Sequence, residues 1–228
     1  MEIVKAIGIK KDNILHGIGF SMKQGEMVAI MGPSGSGKST FMHMLSGMDK
    51  VSEGDVFFQG EKITNYSEDE CAKMRLNKMG LVFQQMNMLP LLNIRDNIIL
   101  PAIEYQKQIE RKSRVREEEL IQKAEKLMEK MGLSGLEDRK ISEVSGGQLQ
   151  RACICRALMN DPVLLLADEP TGALNQAAAE EVMNEFVRLN KEGMSILIVT
   201  HDSKVASVCN RVLYLVDGQI DEKYKERG

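Results

Sequence analysis

Eight consecutive residues, Gly32-Pro33-Ser34-Gly35-Ser36-Gly37-Lys38-Ser39, put glycines, a lysine and hydroxyls at the spacing G-x-x-x-x-G-K-S. The chemistry this suits is the cradling of phosphate. Glycines let successive backbone N–H groups converge on phosphate oxygens, and a helix leaving the loop adds the partial positive charge of its N-terminus. At this spacing the lysine reaches the β and γ phosphates of a nucleoside triphosphate, and the hydroxyl of Ser39, followed by Thr40, suits a Mg²⁺ ion.

Two adjacent acids, Asp168 and Glu169, follow the apolar run from Val163 to Ala167. Beside a phosphate loop, the first acid suits Mg²⁺, usually through water, and the second can polarise an attacking water as general base. Gln84 follows the run Leu81 to Phe83, where its amide could touch metal and water. His201 follows Ile196 to Val199 and Thr200. A fifth segment, Val144-Ser145-Gly146-Gly147-Gln148, reads as a second anion-binding helix start with Ser145 as its cap. One nucleotide does not need two such cradles from one chain. Across a two-fold interface, the second cradle would close over a partner's nucleotide.

These residues need elements to hold them. The runs Met27 to Met31, Leu81 to Phe83, Val163 to Ala167 and Ile196 to Val199 are short and do not alternate. Such runs fit strands buried on both faces of a mainly parallel sheet. Each ends at a candidate site residue, and ligands in open α/β sheets lie beyond the carboxyl ends of strands. A helix is expected from Lys38 to Ser46, with Phe41, Met44, Leu45 and Met48 on its buried face. Glu53 to Gly60 reads as strand and turn of a small antiparallel layer. The stretch 86–160 reads as mostly helical. Within it Val115 to Met131 carries Leu120, Ala124, Leu127 and Met131 at helical spacing, and Gly132 suits a helix end. The charged run Arg111 to Glu119 reads as a solvated helix face or loop, and the polar tail from Asp221 as a frayed end.

The chain has 228 residues, a formal net charge of −3 and 28% charged residues, which suits one α/β domain, 1–228, with no global basic field for nucleic acid. Cys71, Cys153, Cys155 and Cys209 form no CxxC pair and read as reduced thiols. No apolar stretch approaches the ~18 to 20 residues of a membrane helix, and the start lacks the apolar core of a signal peptide. If the chain works on transport, another polypeptide supplies the membrane path.

The five motifs in this order resemble the ATP-binding subunit of an ABC transporter over nearly the whole chain. Glu26 to Ser34, Leu45 to Asp49, Val82 to Pro90 and Glu169 to Leu174 look like one branch, which holds lipoprotein-release, macrolide-export, antimicrobial-peptide-resistance and cell-division ATPases. The resemblance implies a P-loop NTPase core, a small antiparallel layer and a helical subdomain. It implies ATP and Mg²⁺ as ligands. It also implies a head-to-tail homodimer in which Ser145, Gly146, Gly147 and Gln148 contact the partner's ATP, and His201 at the γ phosphate. A separate integral membrane permease would be the partner, with the chain cytoplasmic and peripheral on the inner face of the membrane. A non-transporting cell-division or signalling complex, or a soluble ATPase such as an iron–sulfur assembly factor, stands as the alternative.

Two positions depart from the family pattern. Ile9 occupies the place of an adenine-stacking aromatic, so apolar contact from Ile9 is expected there. Asn175 stands where an aspartate usually lies in the inter-protomer loop. Met86 and Met88, just after Gln84, suit either permease docking or core filling.

Overall fold

The computed structural model describes residues 1–108 and 115–221. The charged run from Arg111 lies partly, and the tail beyond Asp221 wholly, outside the described residues.

The four apolar runs become neighbours in one sheet. Its parallel strands are β3 (Met27–Met31), β6 (Met79–Phe83), β7 (Leu164–Asp168), β8 (Ser195–Val199) and β9 (Arg211–Val216), and β10 (Gln219–Ile220) pairs antiparallel with β9. The order across the sheet is β10-β9-β3-β8-β7-β6. Every residue of β3 and β8 is buried, as expected for strands covered on both faces. A second, antiparallel sheet has the order β2-β1-β4-β5, from β1 (Glu2–Lys11), β2 (Leu15–Lys23), β4 (Glu53–Phe58) and β5 (Glu61–Lys62).

Alternate residues of each parallel strand feed two different cores, because successive side chains of a strand point to opposite faces. On one face Leu164 and Leu166 pack with Val28, Phe41 and Phe20 beneath the antiparallel sheet. Phe20 and Phe41 meet edge to face, centroids 5.5 Å apart. On the other face Leu165 and Ala167 pack with Ile98, Met128, Cys153 and Phe186. These come from α3 (Ile94–Gln108), α4 (Glu117–Lys130), α5 (Gly146–Leu158) and α6 (Gln176–Lys191). Two short crossings complete the described elements, α2 (Glu68–Lys78), opened by a Ser67/Glu70 capping box, and α7 (Ser203–Ser207). None of the described helices is long and apolar enough to cross a membrane.

Helix α1 (Lys38–Leu45) leaves the glycine-rich loop with Phe41, Met42, Met44 and Leu45 buried. Met48 does not share this face and is 41% exposed. The left-handed Gly47, φ 65°, ends the helical phase before it. Helix α4 starts two residues later than the spacing suggested. It buries Leu120, Ala124 and Met128, with Leu127 only partly covered, and the left-handed Gly132 follows it. Met88 is a buried member of the helical core rather than a docking residue, while Met86 packs at that core's margin.

Candidate active site

Strand pairing sets Phe83 opposite Asp168, and sets Val199 opposite both Asp168 and Ile30. The residues that follow each strand therefore emerge side by side at one carboxyl edge, in the crevice where α/β sheets hold ligands. An open cleft of ≈500 Å³ lies there, lined by Ile14, Ser34, Gly35, Gly37, Lys38, Ser39, Thr40, Gln84, Glu169 and His201.

Two glycines of the loop leave no room for alternatives. A Cβ on Gly32 would sit 2.0 Å from the Leu215 carbonyl oxygen. Gly37 caps α1 at φ 97°, a conformation L residues rarely adopt, and supplies no side-chain cap. The first-turn N–H groups of α1 are thus left for a ligand. Ser36 is buried and its Oγ has no partner, and Pro33 contributes its carbonyl oxygen. Lys38 donates from Nζ to the Gly32 and Pro33 carbonyls at 2.8 Å each. Burial lowers the Lys38 pKa, and the charges of Glu169 and Asp168 oppose that shift. A cradle of uncapped amides, a buried lysine and an orphaned hydroxyl fits a polyphosphate.

The acids take different roles from different surroundings. Asp168 accepts from Ser39 Oγ at 3.0 Å. Burial raises its pKa, and the Ser39 hydrogen bond pulls the other way. Glu169 sits at φ 47°, a strained left-handed residue of the kind that collects at functional turns, and donates its N–H to the Val199 carbonyl at 2.9 Å. Its Oε1 lies 2.8 Å from His201 Nδ1, and its Oε2 accepts from Thr200 Oγ1 at 3.4 Å. Gln84 lies against the turn beyond Glu169. A Cβ on Gly172 would approach its Nε2 to 2.9 Å. Among the described residues no group of three or more His, Cys, Asp and Glu is placed to hold a metal ion alone. Ser39, Asp168 and Gln84 instead give a few hard oxygen donors beside the phosphate cradle, the donor set that suits Mg²⁺ shared with substrate phosphates.

The second cradle is elsewhere. Ser145 caps α5 by accepting from the Gln148 N–H at 3.3 Å, and Gln148 Oε1 accepts from the Ser145 N–H at 2.8 Å. Ser145 and Gly146 are exposed, and none of Ser145 to Gln148 lines the cleft. Gly147 allows α5 to pack on α6, since a Cβ there would come 2.9 Å from Ala178 Cβ. Asn175 caps α6, accepting from the Ala178 N–H at 3.0 Å.

Ile9 does not reach the cleft. It is 0% exposed and packs in the core beneath the antiparallel sheet. The strand pairing shifts on both sides of it, between Ala6 and Ile9 and again before Lys10, which breaks the simple alternation of faces. Ile14, 37% exposed, is the apolar residue that lines the cleft. Its sequence signal was its place directly before Leu15, which is buried against the loop. Thr200 joins Glu169 as a site residue that only the strand-end position announced.

Comparison with known proteins agrees with this geometry. The family model described as ABC transporter matches residues 15–172. The lipoprotein-releasing system ATP-binding protein LolD of Aquifex aeolicus is 40% identical over 223 residues, 96% of each chain. The bacitracin export ATP-binding protein BceA of Halalkalibacterium halodurans is 38% identical over 222 residues, 96% of this chain and 85% of that one. Among solved structures, the dimeric post-hydrolysis state of the cassette MJ0796, bound to ADP and Pi, superposes with a TM-score of 0.86 at 37% identity, covering 99% of this chain and 100% of that one. With a phosphate cradle, paired acids and a separate Ser145-capped helix start already in place, the chain belongs to the ABC transporter family, as an ATP-binding and ATP-hydrolysing cassette.

Proposed function

We propose that this cassette drives an export-type membrane complex, binding two ATP molecules between two head-to-tail copies of itself. The observation that carries the reading is the separation of the two cradles. One lines the cleft together with Glu169, and the other opens α5 with Ser145 and Gly146 exposed and outside that cleft.

In this reading the α1 amides and Lys38 bind the β and γ phosphates. Glu169, oriented by Thr200 and His201, accepts a proton from the attacking water, and Gln84 positions that water. Mg²⁺ would supply charge neutralisation at the β and γ phosphates, held by Ser39, Asp168 and Gln84. Ser145 to Gln148 of one protomer cover the phosphates bound to the other. Asn175 keeps a hydrogen-bonding side chain near that interface without a charge. Stretch 86–160 acts as a helical lobe.

The permease would dock in a groove of ≈320 Å³ whose lining is mostly apolar, with Ala72, Leu76, Met79, Leu81, Phe83 and Pro101, and which also carries Arg75, Arg156 and Asn160. Exposed Leu100 and Ile103 extend the apolar surface along α3. The names of relatives such as LolD and BceA support an exported lipid-anchored or peptide cargo, and a site peripheral to the inner face of the membrane follows.

Affinity purification of the tagged chain from detergent-solubilised membranes tests this. A salt-resistant integral membrane partner is expected, and Leu76→Glu should lose it. Recovery of no membrane partner would overturn the transport reading.

A further inference from the structure

One stripe of α5 is occupied with holding the loop that carries Gln84. Gln150, Cys153 and Arg156 follow each other at three-residue steps, so they share a helix face. Each meets a backbone carbonyl at the end of β6 or in the segment that follows it. Gln150 Nε2 donates to the Phe83 carbonyl at 3.4 Å. Cys153 Sγ donates to the Met86 carbonyl at 3.3 Å. Arg156 forks, with Nη2 on the Met86 carbonyl at 2.8 Å and Nη1 on the Asn87 carbonyl at 2.7 Å. Gln84 lies between the first anchor and the second.

The rest of the loop is tied from the other side. Asn97 of α3 is fully buried, accepts from the Leu89 N–H at 2.7 Å, and donates to the Leu89 and Asn93 carbonyls at 3.1 and 2.9 Å. The clasp also holds strain. Asn87, whose carbonyl Arg156 grips, sits at φ 47°, and the Oε1 of Gln150, a residue 1% exposed, is buried with no partner among the described residues. Strained and unsatisfied groups of this kind persist where the surroundings enforce them, and they collect at switch regions.

We propose that Arg156, with Gln150 and Cys153, is a positioning device that fixes Gln84 to the signature helix, so that displacement of Gln84 in the cleft is delivered to Ser145 at the other end of α5. The two ends are eleven residues apart, about 16 Å of one continuous helix at 1.5 Å per residue. This device presupposes the proposed roles of Gln84 at the attacking water and Mg²⁺ and of Ser145 to Gln148 across the dimer. A guanidinium fork suits the task because it holds two consecutive carbonyls in one plane, where a lysine would hold one as a point charge.

The test is amide hydrogen exchange with and without Mg·ATP, on the wild type, Arg156→Lys and Arg156→Met, with Cys153→Ala as a milder companion. In the wild type, ATP should slow exchange in the glycine-rich loop, in residues 84–88 and in the first turn of α5 together. Failure of ATP to protect residues 84–88 in the wild type would count against the proposed role of Gln84, and with it this inference. In Arg156→Met the glycine-rich loop should still be protected while the first turn of α5 is not. ATP affinity should stay within about twofold, kcat should fall at least about tenfold as expected of a displaced catalytic group, and Arg156→Lys should fall between. Two further results overturn the proposal itself. One is coupled protection and wild-type kcat in Arg156→Met and Cys153→Ala. The other is loss of ATP affinity and thermal stability in parallel with kcat, which marks Arg156 as a general structural pin.

Discussion

Gly80 offers a direct test of how closely α5 is seated on the sheet. It lies on β6, and a Cβ added there would come 2.7 Å from the Ala157 carbonyl oxygen and 2.7 Å from Leu165 Cδ1. Ordinary contact begins near 3.4 Å, so a gap of about 0.7 Å must be found. Leu165 can change rotamer, but the Ala157 oxygen belongs to the backbone of α5 and moves only with the helix. Overpacking of this kind costs about 1–3 kcal/mol. For a chain of this size that lowers Tm by about 2–4 °C per kcal/mol. Gly19 on β2 supplies the control. A Cβ there meets nothing within 4 Å, and its φ lies outside the left-handed range. Replacing this glycine by alanine removes backbone freedom from the unfolded chain and should stabilise by about 0.5–1 kcal/mol. Chemical denaturation of Gly80→Ala and Gly19→Ala should therefore move midpoints in opposite directions. Equal midpoints, or a stabilised Gly80→Ala, would refute the close seating of α5 on β6.

Among the described residues Ile14 lines the cleft and no aromatic side chain does, so hydrolysis of GTP should proceed within about tenfold of ATP, since stacking pairs are worth about 0.5–1.5 kcal/mol; a strong ATP preference would contradict this. Burial pushes the Cys153 and Cys209 thiols up to about 11 and raises Cys155 and Cys71 as well. The native protein should accordingly react slowly with a thiol reagent at pH 7.5 and release all four thiols on denaturation; a fast-reacting native thiol would contradict that burial. Asn175→Ala should cost about 0.5–2 kcal/mol by uncapping α6, whereas Asn175→Asp keeps the cap and should gain about 0.3–1 kcal/mol at the helix N-terminus, both read from urea midpoints.

Much of this architecture was legible in the chain because local pattern and global fold agree. The continuous runs from Met27, Val163 and Ile196 had to be buried on both faces, and their last residues delivered the chemistry to one edge. Where expectation and structure differ, an irregular strand pairing and a helix end are the causes. Ile9 occupies the family's place for an adenine contact, but the irregular pairing of β1 turns its side chain into the core. Met48 was carried on by helical spacing past Gly47, which ends the helix. Met88, left between docking and core filling by the sequence, is buried because Asn97 ties the Leu89 backbone to α3, a contact that no local pattern announces. The clasp from α5 to the Gln84 loop was invisible for the same reason, since its acceptors are backbone carbonyls that every residue possesses.

The most direct measurement on the central claim is ATP turnover and assembly state of Glu169→Gln. The amide keeps the shape of the carboxylate held by Thr200 and His201 but cannot accept a proton from water. The account predicts unchanged ATP binding, turnover slowed at least about a hundredfold as expected for loss of a general base, and an ATP-dependent dimer in gel filtration. Turnover at the wild-type rate would contradict it.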